Sequence, residues 1–217
     1  EGDEANFVVS RLTSYKDCAV LYRTNAQSRV FEEAFLHAGV PYVLVGGTRF
    51  YERKEIKDVV CYLRLVMNPE DEVARKRAEK NGKGRLARLQ NSMLNAQSLK
   101  TIEILDGVLK STGYLELFNP ENEEDLARLE NIKELRSVAM EFPMLTEFLE
   151  QIALTERESR RTEEYKSAVT LMTLHAAKGL EFKQVFLVGI EEGLFPHSRS
   201  LMDMEQMEEE RRLCYVG

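Results

Sequence analysis

Nowhere in the 217 residues does an apolar run approach the roughly 18 residues that a membrane-spanning helix needs. Paired cysteines are missing too: Cys18, Cys61 and Cys214 are odd in number, far apart and in no ligand-like spacing. Cys18 and Cys61 sit in apolar stretches, where a cysteine is usually just a small buried residue. That argues against a disulfide framework and fits a reducing interior better. Three scattered histidines add no metal-binding pattern. There is no basic excess, since 30 Lys+Arg against 37 Asp+Glu leave a net charge of −7. A protein that only coats nucleic acid is usually basic, so any contact with DNA must run through a local channel. Glu1 to Glu4 is acidic and polar, without the character of a signal peptide. No internal repeat or low-complexity segment is visible.

The phosphate-cradling string G-x-x-x-x-G-K-[ST] is also absent. The only Gly-Lys pair, Gly82-Lys83, is followed by Gly84 and lacks the upstream glycine. Val185 to Gly193 (VFLVGIEEG) looks superficially like a strand ending in Asp-Glu, but Gly189 and Ile190 intervene and the pair is Glu191-Glu192. Phosphoryl transfer needs such positioned charges, so this chain is expected to be catalytically silent by itself.

What remains is an ordinary mixture, 43% apolar and 31% charged, long enough for one good core or two modest ones. Cys18 to Tyr22 (CAVLY) reads as a strand buried on both faces. A helix follows, with Thr24 or Asn25 as N-cap and Val30, Ala34, Phe35 and Ala38 at helical spacing. Gly39 and Pro41 stop it. Tyr42 to Val45 is a second strand, ending in Gly46-Gly47. This βαβ pattern predicts a parallel sheet with helical cover. A further helix from about Arg53 to Met67 carries Ile56, Val59, Val60, Leu63 and Val66 as a stripe and ends at Asn68-Pro69.

From Glu70 to about Lys166 strand signals vanish, and helical patterns take over at Leu86–Leu94, Ile102–Leu109, Leu126–Met140 and Leu145–Leu154. Strands return at Ala168–Thr173 and Val185–Val188. The expected architecture is an α/β domain in two pieces, 1–69 and 167–217, interrupted by a mostly helical insertion at 70–166. Arg75, Lys76, Arg77, Lys80, Lys83, Arg85 and Arg88 form a basic cluster in that insertion. It is read as a solvated helix face, with phosphate binding as the alternative. Near the other end, Asp203, Glu205, Glu208, Glu209 and Glu210 precede Arg211-Arg212, an order that suits a helix dipole.

Three strings carry chemistry. In LYRTNAQSR (Leu21–Arg29), Tyr22 and Arg23 lie at the carboxyl end of a strand, where open parallel sheets bind ligands. An aromatic ring followed by arginine can stack on a base and reach a phosphate. TLHAAKGLEF (Thr173–Phe182) bridges two strands with His175, Lys178 and Glu181 in its loop, and Gly179 allows close backbone approach. Lys178 suits a phosphate, and Glu181 can accept hydrogen bonds from sugar hydroxyls. In EEERRLCYVG (Glu208–Gly217), Arg211, Arg212 and Tyr215 fall on successive turns of a helix.

LYRTNAQSR resembles the motif IV region of UvrD/PcrA/Rep-type superfamily 1 DNA helicases, and GGTRFYERKEIKD (Gly46–Asp58) resembles the segment after it. TLHAAKGLEF with GIEEGLFPH (Gly189–His197) resembles motif V and its extension, and EEERRLCYVG resembles the first part of motif VI. The matches cover about half the chain, in the family's order. The resemblance implies a RecA-like parallel-sheet domain (2A) in two pieces around a helical 2B insertion. Together they would form the second motor half of an ATP-dependent 3′-to-5′ helicase.

The roles that this resemblance implies are specific. Tyr22 would stack on adenine, Arg23 would contact the γ-phosphate, and Glu181 would hold the ribose, all three on a common rim. His175, Lys178, Gly179, Arg212 and Tyr215 would couple nucleotide to DNA. His197, with Phe50 and Arg49, would face single-stranded DNA. ATP with Mg2+ is the implied ligand, the Mg2+ site lying on N-terminal motor domains of the same polypeptide. The implied partners are single-stranded DNA, single-/double-strand junctions and repair proteins, in a bacterial cytoplasm at the nucleoid.

Two departures stand out. The family's motif VI continues into a Thr-Arg pair whose arginine acts as a finger, and that arginine would lie three positions beyond Gly217. The linkers near Leu12–Tyr15, Arg77–Arg85 and Phe142-Pro143 are short for the family, through either a reduced 2B domain or omitted segments. Two rival readings are the helicase half of a recombination helicase–nuclease and a non-catalytic scaffold with a helicase fold. The first expects Ser where Ala177 precedes Lys178-Gly179, and retained Arg23, Lys178 and Glu181 disfavour the second.

Overall fold

The computed structural model describes residues 2–92, 99–161, 167–197, 200–201 and 203–216. The end of the predicted helix Leu86–Leu94, the predicted boundary at 166 and Gly217 lie outside the described residues. The chain divides into two compact units, one of residues 1–50 with 157–217 and one of residues 51–156.

The first unit is an α/β body. Helix α1 (Gly2–Arg11) precedes β1 (Cys18–Tyr22), α2 (Ser28–His37) and β2 (Tyr42–Val45), and β3 (Val169–Thr173), β4 (Gln184–Leu187) and α9 (Met204–Val216) complete it. The four strands form one all-parallel sheet in the order β2-β3-β1-β4. β1 is central and buried at all five positions, as its unbroken apolar run requires. β1 and β2, read from the sequence as consecutive strands of a βαβ unit, are not neighbours. β3 inserts between them, pairing Tyr22 with Thr173 on one side and Tyr42 with Val169 on the other.

Alternation along the strands divides the core. Cys18, Val20, Tyr22, Tyr42, Val169 and Leu171 face Phe31 and Phe35 of α2 and Ala5 and Val8 of α1. Ala19, Leu21 and Met172 face the other way, onto Leu174, Ala177 and Phe195, with Phe182 and Leu213 of α9 packed alongside. Helix α1 was not predicted, because its charged start hides the Ala5/Val8 stripe. The stop of α2 is as expected. Gly39 is left-handed (φ 64°), and Val40 and Gly39 donate their N–H groups to the Phe35 and Leu36 carbonyls, a Schellman closure.

The second unit is helical, with α3 (Lys54–Met67), α4 (Glu72–Lys80), α5 (Lys83–Ser92), α6 (Thr101–Thr112), α7 (Glu123–Glu141) and most of α8 (Leu145–Arg161). The sequence assigned α3 to the sheet domain through residue 69. In the structure α3 packs against α4, α6 and α7, and the division falls at 50/51 and 156/157. The reason is polar as much as apolar. Buried Asp58 on α3 accepts from Arg77 Nε of α4 (2.6 Å) and from the Tyr114 hydroxyl (2.8 Å). Arg53 donates to Asn131 of α7 (2.7 Å), and Asn131 donates to Glu55 (2.5 Å). These partners belong to the helical unit, and a buried carboxylate goes where its donors are.

The basic cluster serves this packing in part, while Lys76, Lys80 and Lys83 are exposed. Arg77 serves Asp58, Arg88 donates to the Thr112 carbonyl and Arg85 to the Asn81 carbonyl. Arg75 pairs with Glu70 and bonds the Pro69 carbonyl. Cys61 is buried and donates to the Ala74 carbonyl, and burial pushes its thiol up to about 11, so it stays an unreactive thiol.

Candidate functional site at the carboxyl edge of the sheet

The strands of a parallel sheet all end on one edge, and their following loops gather there. Arg23 and Thr24 follow β1, Leu174 and His175 follow β3, Val188 and Gly189 follow β4, and Gly46 and Gly47 follow β2. The ladder continues one step past the strands, with Leu174 N–H on the Tyr22 carbonyl and Val188 N–H on the Leu21 carbonyl. That aligns the loop starts.

A hydrogen-bonded node forms at this edge. The Arg23 guanidinium grips Glu210 of α9 side-on, with Nε at 3.0 and 3.1 Å from the two carboxylate oxygens and Nη2 at 2.7 Å from Oε1. Glu210 Oε2 also accepts the His197 N–H at 3.3 Å. The Glu210 side chain is 7% exposed and that of Arg23 22%. Burial alone would raise the Glu210 pKa, but the Arg23 fork and the His197 amide outweigh it and hold the carboxyl below its ordinary value of 4.5. Among the described acids of α9, Glu210 alone is buried; Glu208 and Glu209 pair with Arg211 and Arg212 along the same helix.

Gln27 closes the other side. Its Oε1 accepts from the backbone of Arg23 (3.0 Å) and Thr24 (2.9 Å), which shapes the turn out of β1. Gly189 has φ 65°, and a Cβ there would lie 2.0 Å from Gln27 Nε2, so a side chain would adopt a strained backbone and push the Gln27 amide aside. Glu4 Oε1 accepts the Gly189 N–H at 3.0 Å. Residues 4, 23, 27, 189, 197 and 210 therefore meet at one place. Glu4, Gln27 and Glu210 were not singled out from the sequence. The only available hints were that Gln27 lies inside LYRTNAQSR and Glu210 inside EEERRLCYVG.

Comparison with known proteins agrees with these strings. The family model described as the UvrD-like helicase C-terminal domain matches residues 3–124 and 88–217. The chain belongs to the UvrD-like helicase C-terminal domain family. It is 42% identical, over 93% of its own length and 35% of the relative's, to the ATP-dependent DNA helicase PcrA of Bacillus subtilis. PcrA of Leuconostoc citreum is 40% identical over the whole chain and 38% of the relative, and UvrD1 of Mycobacterium tuberculosis 38% identical over the whole chain and 38% of the relative. The chain thus spans little more than a third of the curated relatives it matches. The last two alignments run over 283 and 291 positions against 217 residues here, so those relatives carry insertions that this chain lacks.

In this UvrD-like domain the predicted site residues separate. Tyr22 is buried in the core beneath α1 and α2, 1% exposed, so its ring offers no face on which a base can stack. Phe50, read as facing DNA, is also buried; its N–H bonds Glu32, which in turn accepts from Ser28. Glu181 does not share the Arg23 rim. The segment 174–183 is the crossover from the carboxyl end of β3 to the amino end of β4, where Gln184 stands opposite Cys18. Two residues after Glu181, Lys183 N–H already bonds the Asp17 carbonyl in front of β1.

The remaining positions are accessible. His175, Lys178, Gly179 and Glu181 are exposed along the crossover, and Arg49 is half-buried after β2. Arg212 is exposed and pairs with Glu209, while Tyr215 is almost fully exposed. No helix among the described residues is long and apolar enough to cross a membrane.

Proposed function

We propose that the full-length protein is an ATP-driven 3′-to-5′ DNA helicase or translocase and that this chain supplies its second motor half. The sheet unit corresponds to a RecA-like 2A domain and the helical unit to a shortened 2B insertion. One observation carries the reading. Leu21–Arg29, Gly189–His197 and Glu208–Gly217, remote in sequence, meet through Arg23, His197 and Glu210 at the ligand edge of the sheet. The relatives' names, all ATP-dependent DNA helicases, support the same activity.

On this reading ATP binds between N-terminal motor domains of the same polypeptide and the sheet unit. Those domains would supply the phosphate loop and the Mg2+ site, for which the residues present here offer no matching string. Arg23 presents its guanidinium to a phosphate oxygen. His197 and Arg49 face single-stranded DNA on the same edge. The crossover carrying His175, Lys178 and Gly179 starts at that same edge, so it can link the two ligands, while Glu181 lies too far along it to share one nucleotide with Arg23. Arg212 and Tyr215, exposed on α9, extend the coupling surface. Cycles of closing and release move the protein along single-stranded DNA and separate strands at a junction. Repair proteins are the expected recruiters, and a bacterial cytoplasm with the nucleoid the expected location.

The junction of Arg23 with the His197 loop favours a second reading of one role. The phosphate that Arg23 meets would then belong to the DNA backbone instead of ATP. ATP hydrolysis by the intact protein, with and without single-stranded DNA, tests the main proposal. Strong stimulation by DNA, together with no turnover by residues 1–217 alone, is expected. An intact protein that DNA does not stimulate would point to a helicase-fold scaffold.

A further inference from the structure

We infer that Glu210 is the positioning residue of Arg23: it fixes the guanidinium for a phosphate and, through the same carboxylate, ties that arginine to the His197 loop. The inference rests on the helicase reading for its ligand, and its geometry is local to the sheet unit. Arg23 would otherwise be a long side chain with several rotamers at an open edge. Glu210 takes Nε and Nη2 in a side-on fork. Nη1 has no partner among the described residues and is left for an incoming oxygen. A fork of this kind holds the guanidinium plane as well as its position, which a lysine cannot reproduce.

Glu210 is also where the helix and the loop are joined. Its Oε2 holds the His197 N–H, and its place on α9 fixes it next to Leu213, which packs on the sheet. Displacing Arg23 therefore displaces the partner of the His197 backbone, and moving α9 moves both. The shared ligand chemistry is a phosphate oxygen, whether of a nucleotide or of a polynucleotide backbone.

The test compares wild-type, E210Q, R23Q and R23Q/E210Q full-length proteins. Dissociation constants are measured for a non-hydrolysable ATP analogue and, separately, for oligo(dT), alongside thermal midpoints. Glutamine keeps the size and one acceptor oxygen but loses the charged fork. Positioning predicts that E210Q weakens one of the two ligands about tenfold, that the double variant is no weaker than R23Q, and that the midpoint falls only modestly, leaving the protein fully folded at the assay temperature. Weakened analogue binding assigns the phosphate to ATP, and weakened oligo(dT) binding assigns it to DNA. A second measurement uses R23A with millimolar guanidinium. Binding should be restored when Glu210 is present and not in R23A/E210Q, which a merely structural carboxylate would not produce. Unchanged binding of both ligands by E210Q, or losses that add in the double variant, would overturn the inference. Absent DNA-stimulated turnover in the wild type would sink the helicase reading alone, because the binding measurements judge Glu210 independently.

Discussion

Both units bury carboxylates, but they bury them differently. In the helical unit Asp58 is sealed, with Arg77 and Tyr114 as donors, and burial beside that carboxylate pushes the Tyr114 hydroxyl well above its ordinary range. In the sheet unit Glu210 is covered, but its partner Arg23 remains part-exposed at the edge where the strand loops gather. The difference is not exposure, since the Arg77 side chain is 36% exposed and that of Arg23 22%; Arg77 gives Nε to Asp58 and Nη2 to the Lys54 carbonyl and so ties α4 to α3. The Glu210 pair keeps a cationic group at the surface while fixing its direction. Both pairs hold elements together, and it is the place of Arg23 among the loops at the carboxyl edge of the sheet, not its exposure, that lets it meet a ligand.

Breaking the sealed network should have the largest effect. Asp58→Ala leaves Arg77 and the Tyr114 hydroxyl without their acceptor. It should cost about 1–3 kcal/mol by urea denaturation, chiefly for the buried Tyr114 hydroxyl, since Arg77 stays part-exposed and keeps the Lys54 carbonyl. A loss under about 0.5 kcal/mol would erase the contrast. Next comes Arg23→Ala in the intact protein. Under the nucleotide reading, ATP turnover should fall about a hundredfold with a far smaller change in DNA affinity. Equal losses, or loss of DNA affinity alone, would transfer Arg23 to the polynucleotide.

Gly189→Ala should destabilise the sheet unit by about 1–3 kcal/mol, since it forces both a strained φ and a collision with Gln27. A neutral outcome would show that the edge is looser than its packing implies. The pH dependence of Glu210 sharpens the comparison further. Its folded pKa lies below the ordinary 4.5, so its stabilising contribution is fully present above that value and is lost as pH falls through the lower, folded one. The stability difference between wild type and E210Q should therefore be flat from neutral pH down to about 5 and shrink only in more acid solution. A difference that already shrinks near neutrality would contradict the ion pair. The smallest effect is expected for His197→Ala, a severalfold weaker dissociation constant for single-stranded DNA, on the order of 1 kcal/mol, with basal ATP hydrolysis near normal. An unchanged constant would remove its side chain from the DNA surface.

The strands and most helices were legible because local patterns specify them. CAVLY and YVLV are short apolar runs, Gly39-Pro41 stops a helix, and the stripes of α3, α6 and α7 repeat at helical spacing. Helix α1 escaped because its apolar stripe is short, and α4 because its charges masked Ala74 and Ala78. The candidate site was only half legible. LYRTNAQSR identified Arg23, but nothing in the string says that Tyr22, one residue earlier, turns into the core. Alternation along a strand makes that decision once the covered face is known. Glu181 was assigned to the wrong edge because a parallel crossover must return to the start of the next strand, and its course cannot be read from residue types.

The sequence by itself determined the family, the all-parallel α/β character of the sheet piece and the helical nature of the insertion. Each rests on local periodicity or on contiguous motifs. Tertiary structure alone decided that β3 lies between β1 and β2, that α3 belongs with the helices, and that Arg23 finds Glu210 across 187 positions of chain. The physical reason is common to all three. Strand order, helix docking and ion pairing at long range depend on which faces are buried together, and that is a property of the packed chain as a whole.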